Sequence, residues 1–74
     1  MTKAPVPARF GNAVRSHRIA MGYSQDSFAD VLKMHRSYYS AIERGEKNLT
    51  LETLVRLSEG LGVPLSKLFE TAKV

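Results

Sequence analysis

His17 and His35 are the side chains that first invite a metal or acid–base reading, since the chain has two histidines and no cysteine. A zinc site needs three or four ligands at close spacing, and neither histidine has a partner imidazole, a thiolate or a nearby carboxylate pair. No metal is expected, and His17 reads as a core histidine with a hydrogen-bond partner. Catalysis has no better footing. The sequence lacks a Gly-rich phosphate loop, a nucleophile–base–acid triad and paired carboxylates. A helical chain of 74 residues also leaves little room for a pocket of ~300 Å³. An enzyme, a cofactor and a small-molecule substrate are therefore not expected.

The chemistry concentrates in "HRSYYSAIERG", residues 35–45. On a helical wheel Tyr39 and Ile42 point to one side, with Tyr38 and Glu43 at its edges. Arg36, Ser37, Ser40, Ala41 and Arg44 fill the opposite side, and none of them is acidic. A merely solvated face usually mixes Glu with Lys at i,i+4 for support, and this one does not. Arginine offers a planar fork to guanine edges, serine can hydrogen-bond bases or phosphates, and a small alanine lets the backbone approach a thymine methyl. Tyr39 reads as core, while Tyr38 stays open between packing and DNA contact. The helix before this one starts at Ser24 and Gln25. Its free N–H groups and positive dipole end make an anion site able to clamp a phosphate.

The elements that must position these residues are all helical. Phe10, Val14, His17 and Met21 form one stripe from about Ala8 onward, and Gly22 stops that helix. Ser24 caps "QDSFADVLK", with Asp26 in its first turn favouring the helix dipole and Phe28, Ala29 and Leu32 facing inward. "KMH" turns into the third helix, which ends before Gly45. Thr50 caps "LETLVRLSEGL", where Leu51, Leu54, Val55, Leu57 and Leu61 cover a wide apolar arc, so this helix is expected to be central. Gly62 closes it, and Pro64 suits the first turn of "PLSKLF". Leu65 and Phe69 are left over once the fourth helix has filled the core, which suits them to a partner chain. The spacing predicts five short helices in an all-α domain over residues 8–74, behind a flexible N-terminal arm at residues 1–7.

Charge is distributed unevenly. Residues 1–47 hold eight Lys or Arg against four Asp or Glu, whereas residues 48–74 hold three of each. All of the net +4 thus lies in the first two thirds, which favours a polyanion partner, nucleic acid first. Apolar residues make up 43% of the chain and charged residues 24%, a globular rather than a disordered balance. The absence of cysteine fits a reducing cytosol. "MTKAPVPARFGNAV" has no apolar run of the kind a secretory signal carries. No apolar run approaches the ~18 residues that span a bilayer. A soluble cytoplasmic protein without a membrane partner is expected.

"RxxxGxSQ" (Arg18 to Gln25) followed by "HRSYYSAIERGEKNLTLETLVRLSEGLGVPLSKLF" resembles the phage repressor and Cro family of helix-turn-helix regulators. Within that family it is most similar to the restriction–modification controller proteins. The resemblance implies a five-helix lambda-repressor-like domain with the helix-turn-helix at helices 2 and 3. It further implies a sequence-specific transcriptional regulator acting as a homodimer on a promoter operator in double-stranded DNA, where repression would follow from blocking polymerase and activation would need a further contact. Gln25 would touch the DNA backbone, while Arg36, Ser37 and Tyr38 would enter the major groove. Ser40, Arg44, Lys47 and Asn48 would lie near phosphates. Ser24 and His35, at the starts of the two helices, would complete the DNA-facing set. Arg18 and Glu43 would form a structural ion pair, and the last helices, with Leu65 and Phe69, would form the dimer interface.

Three positions depart from the family pattern. His35 stands where Asp, Ser or Thr usually caps the reading helix, Lys33 where a turn glycine is common, and His17 where Leu is usual. The alternative function is an antitoxin-type module that binds a partner protein as well as DNA.

Overall fold

The computed structural model describes residues 4–74. Helices α1 (Val6–Ala20), α2 (Gln25–Leu32), α3 (Arg36–Glu43), α4 (Leu51–Leu61) and α5 (Leu65–Ala72) follow one another, with no strand among the described residues. Local chemistry sets most of the boundaries. Ser24 Oγ accepts the Ser27 N–H at 3.0 Å to start α2, and Thr50 Oγ1 accepts the Thr53 N–H at 3.2 Å to start α4. Each side chain satisfies one of the N–H groups that a helix start leaves open. His35 holds the corresponding place before α3 and makes no side-chain cap bond. α2 ends at Lys33, whose φ of 56° and ψ of 46° put a lysine in the left-handed region where glycine is the ordinary occupant.

α1 begins at Val6, earlier than Ala8, so Val6 and Pro7 belong to its first turn and not to a loose arm. The reason is that proline costs little there: the N–H it lacks would have had no partner inside the helix. Residues 1–3 of the expected arm lie outside the described residues.

Phe10 and Val14 of α1, Phe28 and Leu32 of α2, Tyr39 and Ile42 of α3, Leu57 and Leu61 of α4, and Leu68 of α5 make the core. Phe28 lies among them with its ring centroid 5.4 Å from that of Tyr23 and 5.4 Å, edge-on, from that of Tyr39. α1 crosses α3 at close range, because a Cβ on Gly11 would lie 2.4 Å from the Ile42 carbonyl oxygen. Gly45 (φ 75°) does the same after α3, where a Cβ would fall 2.5 Å from Ala8 Cα. These approaches seat the C-terminal end of α3, and the loop after it, on the start of α1.

That seating overturns the outward placement of Ala41, which is buried. The loop after α3 closes on the helix end, with Glu46 N–H donating to the Ala41 carbonyl at 3.0 Å. Ala41 is therefore not available to a thymine methyl. The expected arc on α4 is also too wide. Leu57 and Leu61 are buried and Leu54 is half-buried, but Leu51 is 76% exposed and Val55 44% exposed. A helix in a domain this small is covered on one side only. The α1 stripe narrows likewise: Met21 is 45% exposed. His17 is half-buried, not a core residue, and its Nε2 lies 3.1 Å from Thr71 Oγ1 of α5.

Candidate nucleic-acid interface

The carboxylate of Glu43 is the point from which the site is built. Glu43 sits at the end of α3 with its side chain 2% exposed. Arg18 of α1 reaches it with Nε 2.6 Å from Oε2 and Nη2 3.2 Å from Oε1, and a third Arg18 nitrogen donates to the Tyr23 carbonyl at 2.7 Å. The Tyr39 hydroxyl donates to the same carboxylate. Gln25 Nε2 of α2 donates to Oε1 at 2.9 Å. Burial alone would raise the Glu43 carboxyl, but the hydrogen bonds from Arg18, Tyr39 and Gln25 outweigh it and hold the group below its ordinary range. The Glu43 hydrogen bond pushes Arg18 up. Burial, then the Glu43 bond, pushes the Tyr39 hydroxyl well above its usual value. Among the described residues no buried side-chain polar atom lacks a partner.

A chain of contacts runs outward from this hub. The carboxamide oxygen of Gln25 accepts from Ser40 Oγ at 3.4 Å, and Ser40 Oγ accepts from Arg44 Nη1 at 2.7 Å. Arg44 then grips Glu46 with two nitrogens, at 3.0 and 3.1 Å. That pair raises Arg44 and lowers Glu46 through the hydrogen bonds between them. Gln25 and Ser40 are half-buried, and the side-chain amide of Gln25 is oriented by Glu43.

Arg36, Ser37 and Tyr38 lie exposed at the N-terminal end of α3, with His35 before them and Ser24 exposed at the start of α2. Lys47 and Asn48 are exposed in the loop that follows α3, and Lys47 Nζ stands 5.6 Å from the Tyr38 ring centroid. The fold thus gathers most of the expected DNA-facing residues around α3. The sequence pattern missed the acids among them. Arg36 Nε lies 2.6 Å from Asp26 Oδ1 of α2, and Glu46 occupies Arg44 from the loop. The α3 face carries no acid of its own, yet its neighbours supply two. Glu46 could have been found from its place two residues after Arg44. Asp26 is ten residues before Arg36 and meets it only because the turn folds α2 against α3.

Leu65 and Phe69 are half-buried and pack on the core, with the Phe69 ring centroid 5.9 Å from that of Phe10. Phe69, but not Leu65, lines an open apolar groove of about 240 Å³, to which Phe10, Leu49, Leu54 and Val74 also contribute. Among the described residues the most exposed large apolar side chain is Leu51 of α4. Among the described residues there is no cluster of His, Cys, Asp or Glu able to hold a metal ion, and no helix long and apolar enough to cross a membrane.

Two short helices joined by a tight turn, the second presenting exposed Arg36, Ser37 and Tyr38 at its N-terminal end, have the geometry of a helix-turn-helix DNA-binding domain. The Helix-turn-helix family model HTH_3 matches residues 14–68, and the chain belongs to that family. It is 43% identical over 65 residues to the control protein C.MunI of a Mycoplasma species, across 86% of this chain and 88% of that one. Two solved structures are also similar. The restriction–modification controller protein C.AhdI of Aeromonas hydrophila superposes with a TM-score of 0.79 at 34% identity, over 84% of this chain and 94% of that one. The controller protein C.Esp1396I, crystallised as a tetramer with its natural 35 base-pair operator, superposes with a TM-score of 0.83 at 27% identity, over 96% of this chain and 93% of that one.

Proposed function

We propose that this helix-turn-helix regulator acts as a cytoplasmic homodimer that occupies a promoter operator and represses by excluding polymerase, in the manner of a restriction–modification controller. The observation that carries the proposal is the exposed Arg36–Ser37–Tyr38 end of α3 beside the start of α2. In a helix-turn-helix domain these are the places that meet base edges and the flanking phosphate. Arg36, Ser37 and Tyr38, preceded by His35, face the major groove. Ser24, Gln25, Ser40, Arg44, Lys47 and Asn48 hold the backbone. Gln25 does so with an amide already fixed by Glu43. Arg18 and Glu43 serve the fold. No catalytic activity is part of this role.

For the dimer, the surface extends beyond Leu65 and Phe69 on α5. Both are partly satisfied within one chain, whereas Leu51 and Val55, one turn apart on α4, are exposed. We assign all four to the contact between copies. The similarity to C.MunI and C.AhdI favours the controller role over an antitoxin-type module. The test is selection of bound duplexes from a random pool, followed by titration of the winner over a salt series. A selected site with two-fold symmetry is expected, with log K falling by about 0.9 per phosphate neutralised for each unit of log salt. Recovery of no preferred sequence, or binding indifferent to salt, would overturn the proposal.

A further inference from the structure

The cations on the α3 face do not stand free. Arg44 is gripped by Glu46 with two nitrogens, and Lys47 lies over the Tyr38 ring. Arg36 differs from both. Its partner, Asp26, comes from the other helix of the pair and touches one edge of the guanidinium, Nε to Oδ1 at 2.6 Å. None of the three guanidinium nitrogens of Arg36 has a hydrogen-bond partner among the described residues, so Asp26 meets it as an ion pair, with Nε the nearest nitrogen. Both side chains are largely solvent-exposed, at 66% for Arg36 and 71% for Asp26. Water screens such a pair and leaves it little weight in folding. Its place in the site is more informative than its contribution to stability.

An unpaired arginine at the tip of a reading helix is a poor discriminator, because its charge attracts any phosphate in any sequence. A carboxylate against the Nε edge changes this in two ways. It offsets the positive charge that phosphates would attract. Because the carboxylate lies nearest Nε, it also leaves the two-nitrogen end of the fork able to pair with guanine O6 and N7. We infer that Asp26 is a specificity-determining positioning residue: it holds Arg36 back from phosphates and presents its fork to a base. The inference rests on operator binding by this face, as proposed above. Asp26 touches no DNA in this role and acts through Arg36. Glu46 does not share it, since it occupies Arg44 on two nitrogens, at the end of α3 away from the bases.

The experiment compares the full-length wild type with Asp26→Asn, Asp26→Glu and Glu46→Gln. Each is titrated against the pool-selected site, its single-base variants and a random-sequence duplex of equal length, over a salt series. Circular dichroism checks folding. For Asp26→Asn we expect tighter binding to random duplex, with a salt slope steeper by about 0.9 as Arg36 gains a phosphate. Discrimination at one base pair per half-site, about 5- to 150-fold for a well-placed bidentate arginine, should fall toward none. Asp26→Glu keeps the carboxylate and should retain discrimination. Glu46→Gln should shift both duplexes by the same factor. A merely structural Asp26 would lower the melting temperature and leave salt slope and base preference alone. That result, or equal tightening on both duplexes without loss of discrimination, overturns the inference while operator binding by the wild type stands. A wild type that prefers no sequence removes the functional proposal and this inference with it.

Discussion

Replacing Arg18 by alanine tests the hub most directly. The change removes two hydrogen bonds to Glu43 and one to the Tyr23 carbonyl, and it leaves the carboxylate with Tyr39 and Gln25 as donors. Stripping one partner from a buried ion pair costs about 3–5 kcal/mol, because the remaining charge stays out of water without its counter-ion. The two surviving donors put the expectation at the low end, about 3 kcal/mol. At roughly 0.05–0.15 kcal/mol per residue, a 74-residue domain has about 4–11 kcal/mol in total. The variant should therefore be marginal. With about 4–8 °C lost per kcal/mol in a domain of this size, the melting temperature should drop by roughly 12–24 °C. The assay is thermal and urea unfolding at one fixed protein concentration, since association would otherwise move the midpoint. Arg44→Ala, which breaks an exposed pair, is the reference change. Adding Glu43→Gln to Arg18→Ala should recover part of the loss by removing the stranded charge. A melting shift for Arg18→Ala no larger than that for Arg44→Ala would refute the hub.

The same carboxylate sets an acid limit. Glu43 is held below its ordinary 4.5, so the stability it contributes is complete above that value and is lost as pH falls through the lowered one. Wild-type melting should decline on the acid side, and the gap to Arg18→Ala should narrow there; a gap that widens toward acid contradicts the assignment. Leu51→Ser with Val55→Ser should give a folded monomer by sedimentation, because both side chains are exposed within one chain, and an intact dimer places the interface elsewhere. Leu65→Ser with Phe69→Ser should also disperse the dimer but at a cost in folding, since Phe69 packs on Phe10. Arg36→Ala should cost about 1–3 kcal/mol on the selected site and relax one base pair per half-site. Lys47→Ala should weaken selected and random duplexes alike; a uniform loss for Arg36→Ala would reduce Arg36 to a phosphate contact.

Helix boundaries were legible wherever a side chain caps locally. Ser24, Thr50 and Gly62 mark the start of α2 and both ends of α4 because their chemistry needs only residues a few places away. Burial was legible only in part. Leu51 and Leu57 look alike in sequence, and what separates them is which side of α4 meets the other helices. Ala41 fell on the outward side of the wheel yet is buried, because a wheel says nothing of what packs around the end of a short helix. The candidate DNA-facing residues of α3 were readable as types on one helical face. Their acidic companions were not, because Asp26 reaches Arg36 through the geometry of the turn, and helical periodicity says nothing about a neighbouring helix.

That turn closes through Lys33 in a left-handed conformation, and its lysine has a consequence for the unfolded chain. Glycine would adopt this geometry with no steric cost, but it would also free the unfolded backbone to wander more widely. Lysine trades native ease for a narrower unfolded ensemble, so Lys33→Gly sets two opposing effects against each other at one residue. Strain relief stabilises the folded state of the glycine variant, and greater chain entropy stabilises its unfolded state. Because α2 and α3 are joined through this single residue and two more, that balance bears on how readily the two helices find their relative pose during folding. If the turn is formed in the folding transition state, the net of the two effects falls on the folding rate; if it forms later, it falls on the unfolding rate.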